Sequence, residues 1–176
     1  MPTIVLVRHG RTSANEQGIL AGRSPGVTLD EVGQSQATTL ATRLSTVPFA
    51  TIVTSPLERT RETAAHIHAQ QGQNASEVVV DERFIECDYG TWTGQSLATL
   101  AKESLWKQVQ SHPSAVTFPD GESLMAMGMR AVAAIRELKA MGLTITAITN
   151  GNADVYAVPS LAPLFDAAVN AEEVGV

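Results

Sequence analysis

TIVLVRHGRT, residues 3–12, decides how this chain is read. Residues 3–8 begin as a continuous β-branched, apolar run, which suits a central strand covered on both faces. Arg8-His9-Gly10-Arg11-Thr12 follows at once, just past the strand. In open α/β sheets, ligands gather at the carboxyl ends of strands. An imidazole there is partly unprotonated at neutral pH and can attack phosphorus. Arginine matches phosphate oxygens with paired hydrogen bonds, and glycine lets backbone approach a ligand closely. His9 is the candidate nucleophile and Arg8 a fixed cation beside it. The competing reading is an ordinary loop histidine.

Working outward, residues 9–27 read as loop with one helical turn. Thr28 and Glu31 have the spacing of a capping box, and Val32, Ala37, Leu40, Ala41 and Leu44 recur at helical spacing, so a helix is expected over about 29–46. Residues 50–54 read as a second strand. SPLE at 55–58 repeats the capping-box pattern, with Pro56 at the first position of a helix running to about residue 70. Residues 77–80 form a third strand, 82–94 a loop, 96–110 and 122–141 helices, and 143–148 a fourth strand. Strands alternating with helices indicate an α/β fold, a mainly parallel sheet with helices on both faces in a three-layer α/β/α sandwich. One domain over 1–176 is expected, with a divergent tail from 139, where Pro159 and Pro163 break any long helix.

Composition narrows the function. Of 176 residues, 44% are hydrophobic and 17% charged, enough for a buried core. Aromatics are only 5%, so the core is expected to rest on Leu, Val, Ile, Ala and Met. The net charge is −6 with no Lys/Arg run, which argues against a nucleic-acid partner. The apolar run at the start is too short for a signal peptide or a membrane span. The single cysteine, Cys87, permits no disulfide within the chain and suits a cytoplasmic location. No feature indicates an oligomeric state.

Two further residues carry chemistry. Arg59 lies in the first turn of the helix after the second strand, and a helix N-terminus is a ready anion site. Its alternative is a solvated surface arginine, the reading given to Arg61. Glu86 stands in a loop with Phe84, Tyr89 and Trp92. Partial desolvation there would favour its protonated form and make it a proton donor to a leaving oxygen. Its alternative is a plain surface carboxylate.

LVRHGRTSAN, SPLERTRETA, ERFIECDYGTWTG and FPDGES occur in this order over about residues 1–138, and the set resembles the phosphoglycerate-mutase-like histidine phosphatase superfamily. The resemblance implies a phosphomonoester phosphatase working through phospho-His9. It makes Arg8 and Arg59 the phosphoryl clamp. Asn15 and the backbone at Ala21-Gly22 would line the phosphate pocket, and Glu86 would be the general acid. No metal or other cofactor is implied, since arginine and histidine donors stabilise the equatorial oxygens. The partner is a small phosphorylated substrate. No motif separates a sugar phosphate from a nucleotide or a phosphoglycerate.

The family's second histidine, which ends a late strand, is missing. His66 and His68 read as solvent-facing helix residues and His112 as a loop residue. Asn150 stands where that histidine is expected, following TITAIT. Asparagine donates a hydrogen bond but carries no charge. The stretch from about 142 also resembles a fragment of a haloacid-dehalogenase-like hydrolase, with Thr149 in its phosphate-binding turn. That enzyme's Asp-x-Asp nucleophile motif is absent from the chain. Fusion of a foreign fragment and divergence of one histidine are both open. The alternatives to a phosphatase are a phosphate-binding pseudoenzyme and a phosphomutase.

Overall fold

The structure, a computed structural model, describes residues 3–72 and 77–140 and the backbone of two later strands, 144–149 and 167–170. In chain order the elements are β1 (Thr3–Val7), α1 (Ser13–Glu16), α2 (Glu31–Leu44), β2 (Ile52–Thr54), α3 (Glu58–Gln70), β3 (Val78–Val80), α4 (Leu97–Leu100), α5 (Ser104–Ser111), α6 (Leu124–Ala140), β4 (Thr144–Thr149) and β5 (Ala167–Asn170). Two compact units divide them, Met1–Arg8 with Arg130–Val176, and His9–Met129.

The first unit holds a parallel sheet in the order β1-β4-β5, with Thr3 opposite Thr144 and Val7 opposite Ile148. Parallel neighbours need long crossovers, so β1 finds its partner far along the chain. The fourth strand stands one residue later than expected. β5 was not foreseen, because Ala-Ala-Val-Asn is short and shows no alternation. The rest of the tail, including Asn150, Pro159, Pro163 and most of the dehalogenase-like stretch, lies outside the described residues.

The second unit contains a βαβ step. β2 and β3 pair in parallel, Ile52 opposite Val78, with α3 between them in the chain. α2 packs along α3. Gly33, Ala37 and Ala41 are buried four residues apart on α2, so one stripe of small residues lets α3 come close. His66 joins this contact, its Nε2 lying 2.6 Å from Gln34 Oε1 and its Nδ1 3.2 Å from Thr38 Oγ1. It is a half-buried bridge between helices and not a solvent-facing side chain.

Three sequence expectations need correction here. α2 is capped by Asp30, whose Oδ1 accepts from Gly33 N at 2.8 Å, not by Thr28. A carboxylate two residues nearer the helix outcompetes the hydroxyl, and it is held in place by Arg11 Nε at 2.8 Å. α3 begins at Glu58 with Leu57 as N-cap and no side-chain cap. Ser55 is buried and its backbone oxygen accepts from Thr60 Oγ1 at 2.9 Å, so SPLE is a turn leading into the helix and not its first turn. The helix expected over 96–110 is two, α4 and α5. The break lets Leu100 and Trp106 join one cluster.

Most of the described buried hydrophobic residues are Leu, Ile, Val and Ala, as expected, and this cluster adds aromatics to them. Cys87, Trp92, Leu100, Val116 and Phe118 form its buried centre, with Tyr89, Leu105, Trp106 and Leu124 against it. Trp92 stacks on Trp106 at 6.1 Å between centroids, and Phe118 meets Tyr89 edge-on at 4.8 Å. The few aromatics are concentrated where they matter, beneath the Glu86 loop, and each buries more area than an aliphatic residue can.

Candidate active site

The loop after β1 is fixed from below. Gly10 N donates to Thr63 Oγ1 at 3.2 Å, and that hydroxyl donates on to Arg59 O at 2.8 Å. Thr63 is buried on α3, one turn after Arg59. Gly10 also lies flat on the start of α2, where a Cβ would stand 3.0 Å from Gly33 Cα. A Cβ on Gly33 would overlap the Arg11 carbonyl. The two glycines thus set how closely the His9 loop approaches the helices. Gly→Ala inside a helix usually stabilises by about 1 kcal/mol. Gly33→Ala is expected to do the opposite and cost about 2 kcal/mol, since backbone cannot yield as a side chain does. Urea denaturation of the variant checks the sign.

His9 Nδ1 lies 2.7 Å from Gly10 O. A carbonyl has no proton to give, so Nδ1 carries a hydrogen, and Nε2 is the nitrogen that can act as nucleophile when the ring is neutral. That neutral form is the tautomer a nucleophile requires.

Arg59 is only 4% exposed. Its Nη2 donates to Gly22 O at 3.0 Å, while Nη1 is buried without a hydrogen-bond partner among the described residues. Burial pushes the guanidinium's pKa down, and the Glu86, Glu58 and Tyr89 charges act to raise it. Buried donors are rarely left unpaired, because the desolvation is not returned. A buried cation with an idle donor is able to take an anion. Ser55 Oγ is idle in the same way.

The loop bearing Gly22 is clamped by α3. Glu58 Oε1 accepts from Gly26 N at 3.0 Å and Glu62 Oε2 from Leu29 N at 2.8 Å. The Gly26 N–H holds the Glu58 carboxyl below its ordinary pKa. Gly22 itself has φ +52 and lies under Tyr89 and Thr93, where a Cβ would come within 3.0 Å of both side chains. Only glycine meets both demands without strain.

Glu86 stands in the loop over the aromatic cluster. Its Oε1 accepts from Cys87 N at 2.7 Å and from Tyr89 Oη at 3.3 Å. Burial, and then the Glu86 charge, push the Tyr89 phenol far above its ordinary pKa, so it stays a donor. Arg23 reaches this loop from the other side, with Nε on Glu86 O at 2.8 Å and Nη2 on Glu122 Oε1 at 2.8 Å. Glu122 Oε1 also accepts from Asp88 N at 3.0 Å. A Cβ on Gly90 would overlap the Pro119 carbonyl, and one on Gly121 the Asp88 carbonyl. The FPDGES stretch is thus the support on which the Glu86 loop lies.

The structure brings Arg59, Gly22, Glu86 and Tyr89 into one electrostatic neighbourhood and ties the His9 loop to it through Thr63. Asn15 Oδ1 accepts from Thr12 N at 3.1 Å in a capping box, which leaves Nδ2 as the donor end of the exposed amide. Arg11 is spent on Asp30 and on Glu16, 3.3 Å away. Ala21 serves through its backbone, its carbonyl accepting from Ser24 N at 2.9 Å. Arg8 is exposed and belongs to the sheet-bearing unit, and Asn150 lies outside the described residues. Sequence reasoning missed Arg23, Thr63, Glu58, Glu62 and Glu122. For Glu58, Glu62, Thr63 and Glu122 the available signal was their position inside the same motifs; Arg23 lies outside all four.

Comparison with known proteins agrees with this architecture. The family model of the histidine phosphatase superfamily (branch 1) matches residues 4–152, past residue 138 and through β4. A 2,3-bisphosphoglycerate-dependent phosphoglycerate mutase of Bartonella quintana is 34% identical over 133 residues, 73% of this chain and 64% of its own length. The bifunctional protein Rv2228c of Mycobacterium tuberculosis is 37% identical over 127 residues, 68% of this chain and 32% of its own. This chain therefore spans less than two thirds of these relatives. Bacillus stearothermophilus YhfR superposes with a TM-score of 0.70 at 27% identity, over 85% of this chain and 74% of that one. The mycobacterial glucosyl-3-phosphoglycerate phosphatase Rv2419c gives 0.66 at 27% identity, over 79% and 64%. With an α/β fold of the phosphoglycerate mutase type, the chain belongs to the histidine phosphatase superfamily.

Proposed function

We propose that this chain is a phosphomonoester phosphatase acting through a phosphohistidine on His9. The observation that carries the reading is the buried Arg59 guanidinium, whose Nη1 is idle, on the helix that also anchors the His9 loop. His9 Nε2 attacks phosphorus while the bond to the ester oxygen breaks. Glu86 gives its proton to that oxygen, and the alcohol leaves. Glu86, now a carboxylate, takes a proton from water as the water attacks phospho-His9, and phosphate is released. Arg59 neutralises the equatorial oxygens, joined by Arg8, the Asn15 Nδ2 and the backbone N–H groups at Ala21-Gly22. These donors supply the stabilisation for which other phosphoryl-transfer enzymes use a metal.

The substrate is a small phosphorylated metabolite, and the location cytoplasmic. Support comes from relatives named for phosphoglycerate and glucosyl-3-phosphoglycerate chemistry and from the single cysteine. Among the described residues no helix is long and apolar enough to cross a membrane.

The test is rapid-quench labelling with an aryl phosphate. An acid-labile, base-stable phosphoenzyme is expected in the natural chain and absent from His9→Ala. A folded natural chain that never becomes labelled refutes the reading. Asn150 favours a second one, a phosphate-binding pseudoenzyme: the motif order assigns to this neutral amide, which lies within the matched segment, the place expected of the second histidine. That reading requires phosphate binding through Arg59 with negligible turnover.

A further inference from the structure

We propose that Arg23 is a positioning residue that sets Glu86 for proton transfer to the leaving oxygen, an assignment that rests on the phosphatase reading. Gly22 and Arg23 are consecutive, and each is tied to a different half of the chemistry. The Gly22 carbonyl accepts from Arg59 Nη2 at 3.0 Å. The Arg23 side chain donates through Nε to the main-chain carbonyl of Glu86 itself at 2.8 Å. A single dipeptide therefore spans from the phosphate-binding arginine to the peptide of the acid. The separation between the two is fixed by covalent geometry plus one hydrogen bond at each end.

The guanidinium is in turn held by acidic partners. Nη2 donates to Glu122 Oε1 at 2.8 Å, and Nη1 stands 3.7 Å from Asp88 Oδ2. Glu122 also takes the Asp88 N–H, two residues after Glu86, so the acid's loop is gripped at positions 86 and 88 by one ion pair. This use of Nε and Nη2 at once needs a planar fork; a lysine ammonium presents a single point of charge and cannot span both acceptors in that geometry. A half-exposed ion pair would by itself be worth little to stability. What distinguishes this one is that its second contact is the backbone of the acid.

A positioning role has a signature that a general loss of structure lacks. General acid catalysis matters for a poor leaving group and hardly at all for one that departs as a stable anion. Arg23→Ala is expected to lower kcat/KM by roughly 10²-fold for an alkyl phosphate and by less than about threefold for para-nitrophenyl phosphate. Arg23→Lys, which keeps the charge and guards against a folding defect in the alanine variant, is expected to show the same split. Phosphoenzyme formation from para-nitrophenyl phosphate is measured alongside on all three proteins. If the natural chain forms a phosphoenzyme but Arg23→Ala and Arg23→Lys slow both esters equally, or neither, the assignment is overturned and the phosphatase reading stands. If the natural chain forms none, the phosphatase reading falls and the assignment with it.

Discussion

Replacing Arg59 with Met is expected to give a protein that melts higher and turns over far more slowly. Arg59 is almost wholly buried, its pKa is pushed down chiefly by that burial, and one of its terminal nitrogens has no partner. A cation whose folded-state pKa is depressed destabilises the fold throughout the range in which it is charged. That cost disappears only as the pH rises through the folded pKa, well above neutrality, so it is present at any ordinary working pH. Methionine fills a similar volume without a charge, and the gain is expected to be about 1 kcal/mol even after the Gly22 carbonyl loses its donor. The catalytic loss should be much larger, since an arginine aimed at a transferring phosphoryl group contributes roughly 10³–10⁵ in rate. Thermal melting with and without inorganic phosphate separates the two effects. Phosphate should raise the melting temperature of the natural chain and leave that of Arg59→Met unmoved. A variant less stable than the natural chain and still stabilised by phosphate would mean that Arg59 is structural.

Asn150→His is expected to increase turnover by roughly 10²–10³-fold, the usual value of one donor aimed at the charge that develops in a transition state. The family match runs to residue 152 and so includes this position. β4 runs parallel to β1 with Ile148 opposite Val7, so the carboxyl ends of both strands lie at the same end of their sheet. Histidine there would restore a donor that can also carry positive charge, and charge-assisted bonds are about twice as strong as neutral ones. Steady-state hydrolysis of an aryl phosphate measures the change, with His9→Ala as background. No gain would mean that residue 150 does not act on the phosphoryl group.

The elements were legible where local pattern and tertiary need coincide. β1 is a parallel strand, as its unbroken apolar run says, but it stands at the end of the described order β1-β4-β5 and residues 4–7 are only partly buried, not central and covered on both faces. α3 and α6 are long and periodic. Boundaries failed where two capping chemistries competed within three residues, as with Thr28 against Asp30. The helix over 96–110 failed because its apolar spacing is ambiguous until Trp92 and Phe118 are known to lie on one side. At the site, His9, Arg59 and Glu86 stood out because each is a chemically distinctive residue in a motif. Thr63 and Arg23 did not, because their work is done through contacts 53 and 63 positions away in sequence. Threonine in a helix and arginine in a loop carry no local mark of such a role.

The two carboxylates of α3 that hold the Gly22 loop, Glu58 and Glu62, both grip main-chain N–H groups. Every residue except proline offers that group, so the grip is indifferent to the identity of the side chains it secures. Apart from Gly26, held at φ +74, and Leu29, whose side chain is buried, positions 24 to 29 can drift in sequence while the loop keeps its course. A lineage can in this way explore new surface chemistry beside an unchanged frame, and divergence among relatives in this short stretch need not signal a different architecture.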